Sequence, residues 1–484
     1  MARRSSLFLA LDQGGHASRA LVFSTAGKLV AKAEKRIATR YPAANRVEHD
    51  PEALLASLRQ VCSAVARQLG ARANDVRCAG LATQRSTLVC WDRGTGRALS
   101  PVISWQDRRA ARRLKILTPQ AARVHSVTGL VLSPHYGASK LAWCLENLPA
   151  VRRARQQHQL AAGPLASFIL ANLLEEKPLW ADPVNASRTL LWDYRSRDWS
   201  PELLKLFGIP AAILPVCVPN RHAFGHLPLG RYRIPLTVVT GDQPASLFAN
   251  GKPQPHSVYV NIGTGAFIQK LHGTRPPQVS GMLGSVLWQD KKRARYVLEG
   301  TVNGAASALL WLRQRLKIRE PRMLAQMPRW LIMNSDVPLF INGVAGLGSP
   351  YWVSDLRSHF IGRGPDAQKF VAVAESIVFL LHGNLQRMRR AHAPVQHIVV
   401  SGGLAQWNGL CQRLADLSGL PVRRPQMHEA TARGVAWLLG ARSPAATPAE
   451  TFKPENNPAL AQRYRRWQAA LHQELRLRRS QRQR

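Results

Sequence analysis

Two stretches with the same layout decide the fold, LALDQGGHASRALVF at residues 9–23 and SVYVNIGTGAF at residues 257–267. Each runs as an apolar strand into a glycine-containing turn and returns as a second apolar strand, which predicts a strand-turn-strand unit. The two units begin halves of comparable length, so the layout predicts a structural duplication with a cleft between the halves. Between them, GKPQPH at residues 251–256 breaks both periodicities and is the predicted hinge.

Strand and helix patterns intermingle along both halves, which is typical of an α/β protein. The length of 484 residues exceeds what one hydrophobic core usually organises. The predicted boundaries are an N-terminal domain at 5–250, a C-terminal domain at 257–441 and a basic tail at 442–484. Within the tail, Trp467, Leu471 and Leu475 share one helical face, which predicts a solvated or docking helix.

The net charge of +39 attracts polyanions, among which nucleotides, sugar phosphates and RNA all qualify. The charge is spread along the chain without a nucleic-acid recognition signature, so a nucleic-acid role is disfavoured against a general arginine bias. No apolar run approaches eighteen residues, which disfavours membrane and secretory segments and favours the cytoplasm. The six cysteines lie far apart and are expected to be reduced core thiols.

The first strand ends in an acidic residue beside glycines, a pattern suited to handling phosphate. Asp12 precedes Gly14, whose missing side chain would let backbone N–H groups approach phosphate oxygens. Ser18 and Arg19 on the return strand could meet the same anion. An ordinary hairpin turn explains the same residues, and on their own they favour the turn.

A third stretch, VVTGDQPASLF at residues 238–248, places Asp242 between a buried strand and a helix. This predicts that Asp242 is the N-cap of the helix, and capping alone would explain its presence. The functional alternative is a general base that accepts the proton of a substrate hydroxyl group, which Gln243 would help to orient.

Further glycine turns complete the set that phosphoryl transfer requires, namely a phosphate cradle, a metal anchor and a base. Gly263, Thr264 and Gly265 form a predicted second phosphate loop. Gly402 and Gly403 follow the strand HIVVS and form a third glycine turn. The P-loop pattern G-x-x-x-x-G-K-[ST] is absent from the sequence, which excludes a P-loop kinase. The combination indicates a two-domain ATP-dependent kinase.

Ten segments, in order over about residues 7–440, resemble the FGGY family of carbohydrate kinases, and most closely its glycerol kinases. The runs that carry the resemblance are ALDQGGHASRALVFS, GLATQRSTLVCWD, ISWQDRR, NASRTLLWD, FGIP, GDQPASLF, IGTGAF, LEGTVNGAASALLWLR, GLGSPYW and SGGLAQWNGL. The resemblance implies two ribonuclease H-like domains of the actin, hexokinase and Hsp70 architecture. It further implies that the domains close on ATP with Mg²⁺ and on a polyol or sugar.

The resemblance also implies roles for individual residues. Asp242 would be the catalytic base, and Asp12 and Asp242 would hold the metal. The implied substrate-binding residues are Arg85, Ser86, Trp105, His135, Asp242, Gln243 and Phe267. The implied ATP and phosphate contacts are Asp12, Gly14, Ser18, Arg19, Gly263, Thr264, Gly265, Gly402, Gly403 and Asn408.

Several positions depart from the glycerol kinase pattern. Ser86 stands where those enzymes have a glutamate, and His135 replaces a pocket tyrosine. Loss of a charged acceptor of this kind costs roughly 1.5 to 3 kcal/mol, so glycerol is predicted to be a poor substrate. On the nucleotide side the changed positions are Gly15, His16, Leu310 and Ser401.

These departures leave alternatives to the main prediction of a polyol or sugar kinase. One is a glycerol kinase proper, and another is a catalytically weak, ligand-binding regulator of the same fold. A third is an RNA-associated protein that uses the basic surface. The oligomeric state is left open between a monomer and a homodimer.

Overall fold

The computed structural model describes residues 6–291, 293–333, 336–391, 394–426, 429–443 and 448–483. Residue 5, the predicted start of the N-terminal domain, and residues 444–447 and 484 of the predicted tail lie outside these ranges.

The N-terminal half combines strands and short helices. Its strands are β1 (Leu7–Gln13), β2 (Ala17–Ser24), β3 (Leu29–Arg36), β4 (Arg40–Ala43), β5 (Arg46–His49), β6 (Val76–Thr83), β7 (Leu88–Asp92), β8 (Val102–Ile103), β9 (Leu160–Pro164), β10 (Trp180–Ala181), β11 (Trp192–Asp193), β12 (Asp198–Trp199), β13 (Val216–Cys217), β14 (Arg221–Leu229) and β15 (Tyr232–Gly241). Its helices are α1 (Pro51–Leu69), α2 (Ala111–Ile116), α3 (Ala121–Thr128), α4 (Gly137–Asn147), α5 (Pro149–Gln156), α6 (Leu165–Leu173), α7 (Pro183–Ala186), α8 (Pro201–Phe207) and α9 (Asp242–Leu247).

The C-terminal half has fewer strands and longer helices. Its strands are β16 (Ser257–Ile262), β17 (Ala266–Gly273), β18 (Leu283–Gln289), β19 (Ala294–Val302), β20 (Leu339–Ile341), β21 (His359–Ile361), β22 (His397–Ser401), β23 (Val422–Pro425) and β24 (Ala449–Phe452). Its helices are α10 (Ala306–Arg315), α11 (Glu320–Met333), α12 (Asp366–Ala391), α13 (Asn408–Ser418), α14 (Ala430–Leu439) and α15 (Pro458–Gln483).

The two main sheets share a core order of five strands, in which β3-β2-β1-β6-β15 corresponds to β19-β17-β16-β22-β23. In the N-terminal sheet the order is β14-β15-β6-β1-β2-β3, and in the C-terminal sheet it is β18-β19-β17-β16-β22-β23-β24. In both, an antiparallel hairpin lies beside parallel strands, because β1 pairs with β2 and β6 just as β16 pairs with β17 and β22. The repeated order confirms a mixed α/β architecture built from two related halves.

Helix α1 shows how the sequence sets a boundary. The Asp50 side chain accepts a hydrogen bond of 3.0 Å from the Ala53 N–H, and Pro51 occupies the first turn. The helix ends at Gly70, whose φ of 56° lies in the left-handed region that suits glycine. Its apolar face packs against the N-terminal sheet.

Helix α14 belongs to the C-terminal half by sequence and packs against β1, β6 and α9 of the N-terminal half. The approach is so close that a Cβ on Gly434 would stand 1.8 Å from the Ala245 carbonyl oxygen. Val435 and Ala436 join a mixed cluster with Phe8 and residues of both halves. This helix holds the two halves together behind the cleft.

Helix α15, within the predicted basic tail, is docked onto the C-terminal core. Trp467 and Leu471 are buried there, and Leu475 packs beside them. The buried carboxylate of Glu375 on α12 accepts hydrogen bonds from Arg463 of α15, at 2.7 and 2.9 Å, and from Arg413. The apolar face and this ion pair together fix the helix to α12.

Candidate active site

Three parallel strand ends meet at one edge of the N-terminal sheet. Thr83 at the end of β6 is in register with Gln13 of β1 on one side and with Gly241 of β15 on the other. The residues that follow or end these strands therefore converge, and they include Asp12, Arg85 and Asp242. This edge faces the C-terminal half, since the Arg85 guanidinium reaches Glu299 on β19.

Asp12 and Arg19 lie directly opposite each other on β1 and β2 and form an ion pair of 3.3 Å. Burial raises the pKa of Asp12 to about 7, although Arg19 opposes the rise and Asp242 adds to it. Arg19 also contacts Glu34 at 3.1 Å and Glu429 at 3.7 Å. The first hairpin thus presents a carboxylate that is costly to ionise and that a cation would stabilise.

Asp242 is the first residue of α9, so the prediction that it is the N-cap is wrong by one position. Gly241 is the N-cap residue, and the Asp242 carboxylate accepts a 2.7 Å hydrogen bond from the adjacent Gln243 N–H. Because α9 begins at once after β15, Asp242 stands at the junction between the strand end and the first turn of the helix. Burial raises the pKa of Asp242, and Arg85 opposes the rise.

Gly241 makes room for the arginine beside the base. A Cβ at this position would stand 2.6 Å from both Cγ and Cδ of Arg85. Any larger residue would therefore displace the guanidinium, which donates a hydrogen bond to the Gln243 side-chain oxygen. The structure brings Arg85, Asp242 and Gln243 together, as the predicted site requires.

The Arg85 guanidinium belongs to a buried ionic network that spans the two halves. Glu299 on β19 accepts hydrogen bonds from Arg85 at 3.4 Å, from Arg188 at 3.2 Å and from Gln269 at 2.9 Å. Although burial opposes its ionisation, Arg188 and Arg85 hold the pKa of Glu299 below its usual value. Arg188 also donates to the Ser285 hydroxyl at 2.9 Å.

Neither Arg188 nor Glu299 was among the predicted site residues. Both lie in segments that carry the family resemblance, NASRTLLWD and LEGTVNGAASALLWLR, and this was the one sign in the sequence that they could belong to the site. Their pairing joins positions 111 residues apart, and no local spacing reveals such a contact.

Aromatic rings line the pocket next to this network. His135 lies 5.4 Å from Trp105 and 4.9 Å from Tyr136, measured between ring centroids. The Arg188 guanidinium stands 5.1 Å above the Tyr136 ring. Burial, followed by the charges of Arg188 and Lys140, holds the pKa of His135 well below its usual value, so the imidazole is neutral at pH 7.

Several buried polar atoms of the β6–β7 loop have no hydrogen-bond partner in the described part of the chain. They are both side-chain amide atoms of Gln84, Nη1 of Arg85 and the hydroxyl of Ser86. Ser86 also has a φ of 63°, unusual for a residue other than glycine. Buried polar groups are normally paired, so this group of orphaned atoms is what a pocket for a polar ligand displays.

Ser18 does not reach the cleft, contrary to the prediction that it contacts phosphate. It neighbours Arg19 on a strand, so its side chain projects from the opposite face of the sheet. There the fully buried hydroxyl bonds Gln13 at 2.7 Å and Ser57 of α1 at 2.6 Å. Strand alternation alone would have separated it from Arg19.

The second hairpin presents a backbone turn to the cleft. The Gly263 N–H donates a 2.9 Å hydrogen bond to the Gly265 carbonyl, and the exposed Thr264 forms the tip. The Thr264 carbonyl accepts from the N–H and the hydroxyl of Ser307 on α10. Phe267 stands two residues before Gln269 on β17, so its side chain shares the face that carries the bond to Glu299.

The third glycine turn follows β22, beside the second hairpin. Gly402 has a φ of 94°, and a Cβ there would stand 2.6 Å from the Ile262 carbonyl oxygen. Gly403 is exposed with open space around its Cα. Asn408 lies at the start of α13, where its side-chain oxygen accepts a 2.8 Å hydrogen bond from Arg424.

The residues present fit a divalent cation that arrives with a phosphate ligand. Asp242 is close enough to Asp12 for its negative charge to add to the effect of burial in raising the pKa of Asp12. Oxygen ligands of this type suit Mg²⁺, which usually takes one or two carboxylates together with substrate phosphates and water. No cluster of three or more His, Cys, Asp or Glu side chains able to hold a metal occurs among the described residues.

No helix in the described ranges is both long enough and apolar enough to cross a membrane. Of the six cysteines, which the sequence predicted to be core thiols, Cys62, Cys90, Cys144 and Cys411 are buried, whereas Cys78 and Cys217 are half-buried.

Comparison with known proteins gives these features a family. The patterns of the N-terminal and C-terminal domains of the FGGY family of carbohydrate kinases match residues 7–248 and 258–443. A glycerol kinase of Trichlorobacter lovleyi is 38% identical over 446 residues, which cover 90% of each chain. A glycerol kinase of Aquifex aeolicus is 32% identical over 441 residues, covering 90% of this chain and 89% of the relative.

Solved structures agree on the fold. The glycerol kinase of Plasmodium falciparum with ADP has a TM-score of 0.85 at 20% identity, covering 97% of this chain and 98% of that one. A xylulose kinase of Rhodospirillum rubrum has a TM-score of 0.83 at 18% identity, covering 97% and 100%. The predicted two-domain actin-type and hexokinase-type architecture is confirmed, as is the prediction of an ATP-dependent enzyme that phosphorylates a sugar or polyol. With both domain patterns matched and relatives above 30% identity along nearly its whole length, the chain belongs to the FGGY family of carbohydrate kinases.

Proposed function

We propose that the enzyme transfers the γ-phosphoryl group of ATP to a hydroxyl group of a polyol or sugar held between the two halves, with Asp242 as the base. The observation that carries this proposal is the Asp242 carboxylate at a strand end facing the cleft, beside Arg85. Within the described residues this carboxylate forms no ion pair, and it accepts a hydrogen bond from the neighbouring Gln243 N–H. A half-buried carboxylate without an ion-pair partner can accept a proton from a substrate alcohol.

The transfer step follows from these positions. The acceptor oxygen forms a bond to the γ-phosphorus while the bond between that phosphorus and the bridging oxygen of ADP breaks. The hydroxyl proton passes to the Asp242 carboxylate, and ADP leaves. Because such a transition state demands little covalent help, in-line positioning and charge compensation supply most of the catalysis.

The acceptor would lie among Arg85, Ser86, Trp105, His135, Gln243 and Phe267. Nη1 of Arg85 and the Ser86 hydroxyl, which have no hydrogen-bond partner among the described residues, would bond its hydroxyl groups. The Trp105 indole would cover its carbon face. The neutral His135 could donate or accept a hydrogen bond, so it suits an uncharged polyol.

On the nucleotide side, the Gly14 turn, the Gly263–Gly265 turn and the Gly402–Gly403 turn would offer backbone N–H groups to the phosphates. Arg19 would add a positive charge, although Asp12, Glu34 and Glu429 already share it. Asn408 would border the adenosine. Asp12 and Asp242 would hold Mg²⁺, which when bound would neutralise phosphate charge. The requirement for ATP and the free cysteines suit the cytoplasm.

The acceptor is proposed to be a polyol or ketose larger than glycerol. Ser86 offers a short neutral hydroxyl where glycerol kinases have a glutamate, so the pocket gains space and loses a charged acceptor. The names of the most similar relatives favour glycerol itself, which makes glycerol the reference acceptor for the test.

The experiment is a coupled ADP-release assay with glycerol and a panel of polyols and ketoses, run on the wild type and on Asp242→Asn. The amide keeps the shape of the side chain and cannot take the proton, so we expect kcat to fall by about 10² to 10⁴. Asp336→Asn, at an exposed position, is the matched control and should retain full activity. Retained activity in Asp242→Asn would disprove the base, and an equal kcat/KM for glycerol and the best alternative would disprove the acceptor assignment.

A further inference from the structure

Lys140 is a completely buried cation beside the proposed acceptor pocket. It lies on α4, and its side chain is fully shielded from solvent. Burying an ammonium group is expensive unless every N–H finds an acceptor. A lysine at such a position therefore has a structural or functional reason to be there.

All three N–H groups of the ammonium are used, and each bonds a backbone carbonyl from a different loop. The acceptors are the carbonyl oxygens of Ser86 at 3.2 Å, Ser104 at 2.8 Å and His135 at 2.8 Å. Lys140 forms no ion pair with a carboxylate in the described ranges. The ammonium group therefore holds three loop segments together at one point.

Each of these loop segments carries a residue of the proposed acceptor pocket. The first contains Ser86 itself, the second places Trp105 directly after Ser104, and the third contains His135. The backbone N–H of Trp105 in turn donates a 3.2 Å hydrogen bond to the Thr87 hydroxyl oxygen. The side chains that would cover and bond the acceptor therefore share Lys140 as their common anchor.

We propose that Lys140 is a positioning residue that fixes the three acceptor-binding loops relative to one another, and so sets affinity for the acceptor without taking part in the chemical step. This inference rests on the proposed function of the pocket. It assigns Lys140 no contact with the acceptor, ATP or the reacting atoms. Asp242 and the phosphate turns lie on other elements, so loss of the anchor should leave the nucleotide side unchanged.

The groups around Lys140 give the ammonium a charge state that can change near neutral pH. Burial lowers the pKa of Lys140 to about 7, with Asp107 opposing the shift and Arg108 and Arg109 adding to it. His135, the other titratable neighbour, is neutral at this pH. Deprotonation would remove one of the three donors, so the acceptor KM should rise as the pH increases above 7.

The test compares Lys140→Met, which keeps the length and apolar stem, with Lys140→Arg, which keeps a charge whose planar donors cannot meet the same three carbonyls. Lys205→Met on the exposed side of α8 is the matched control. For Lys140→Met we expect the acceptor KM to rise at least tenfold, because hydrogen bonds from a charged group are lost. The KM for ATP should stay within twofold, and kcat should fall by less than threefold. Lys140→Arg should be intermediate.

Three further readouts separate positioning from a purely structural role. The acceptor dissociation constant, measured by calorimetry without ATP, should rise with the acceptor KM. The rise of the wild-type acceptor KM above pH 7 should be absent in Lys140→Met. Far-UV circular dichroism and the Tm report folding, and Lys140→Arg serves if Lys140→Met fails to fold.

The proposal is overturned if the KM values for ATP and acceptor rise together, or if only the Tm falls. Acceptor binding without turnover in the wild type would overturn the proposed function alone, and the dissociation constants would then decide the role of Lys140. A wild-type protein that binds no member of the panel would overturn both.

Discussion

The hairpin β1–β2 and the hairpin β16–β17 occupy the same place in their sheets and contribute different chemistry. In the first, Asp12 lies one residue before the strand end and stands opposite Arg19. In the second, Asn261 lies one residue before the strand end and stands opposite Phe267. The duplicated frame therefore carries a charged pair in one half and a neutral pair in the other.

The neutral member is satisfied within its own half. The Asn261 side-chain amide donates a 3.0 Å hydrogen bond to the Ser401 hydroxyl at the end of β22. A carboxylate in place of the Asn261 amide would be the third after Asp12 and Asp242, and its negative charge would repel the phosphates. Backbone N–H groups attract them instead. The comparison teaches that the N-terminal half supplies charge and the base, while the C-terminal half supplies uncharged turns.

The largest expected effect comes from removing the charge of the first hairpin. Asp12→Asn should lower kcat by about 10² or more, because a metal-holding carboxylate is lost from a phosphoryl-transfer site. Rates measured over a Mg²⁺ titration check this, and Asn261→Ala is the counterpart control, expected to change kcat by less than about fivefold. Equal losses in the two variants would contradict the division between the halves.

The same Asp12→Asn variant should be more stable than the wild type at pH 8 without nucleotide. The folded pKa of Asp12 is raised to about 7 from 3.8, so the stabilisation by its protonated form is complete below pH 3.8 and lost as the pH rises through 7. A neutral amide avoids that loss. Thermal melts at pH 5 and pH 8 should show the larger Tm gain at pH 8.

A smaller effect distinguishes the glycine turns of the two halves. Gly402→Ala forces a φ of 94° onto alanine and drives its Cβ against the Ile262 carbonyl oxygen, 2.6 Å away. Gly14→Ala places its Cβ 3.6 Å from the Ala17 carbonyl oxygen, an ordinary contact. We expect Gly402→Ala to raise the KM for ATP about tenfold, from a local strain of roughly 1 to 3 kcal/mol. Gly14→Ala should stay within twofold, and the reverse order would show that the first turn is the tighter cradle.

A charge introduced into the second hairpin should have a still smaller effect. Asn261→Asp makes this position resemble Asp12 and places a carboxylate on the phosphate side, so the KM for ATP should rise about three- to fivefold by repulsion at a partly solvated site. Added salt should reduce the difference because ions screen exposed charges. An improved KM at high Mg²⁺ would mean that the second half can also hold the metal.

The smallest expected effect is a pH dependence of the kinetics toward ATP that the first hairpin carries. At limiting Mg²⁺ and saturating acceptor, kcat/KM for ATP should rise severalfold between pH 6 and pH 8 as Asp12 ionises, since its pKa is about 7. Saturating Mg²⁺ competes with the proton and should move the midpoint to lower pH. If the midpoint of the pH profile is the same at every Mg²⁺ concentration, Asp12 does not hold the metal.

Local sequence predicted the strand-to-helix junction at Asp242 and both hairpins because these depend on neighbouring residues. The position of Asp242 was missed by one residue, since glycine is also tolerated at the N-cap and Gly241 occupies it. The prediction for Ser18 was wrong because successive side chains of a strand point to opposite faces, so Ser18 lies on the face away from Arg19. Lys140, Arg188 and Glu299 escaped prediction because their partners are distant in sequence, and only the folded chain brings them together.

The packing of helix α14 bears on how the two halves of the enzyme can move relative to each other. The chain passes from the first half to the second at residues 250–256, and α14, which follows β23 in sequence, packs against β1, β6 and α9 of the first half, so the halves share more than one connection. Several connections on one side of a cleft permit rotation of one half about an axis that runs through them, and they resist rotation about other axes. Gly434 lies against Ala245 of α9, so an axis of closure along this contact would pass next to the helix that carries Asp242. We therefore expect that closing the cleft would displace Asp242 less than the glycine turns of the C-terminal half.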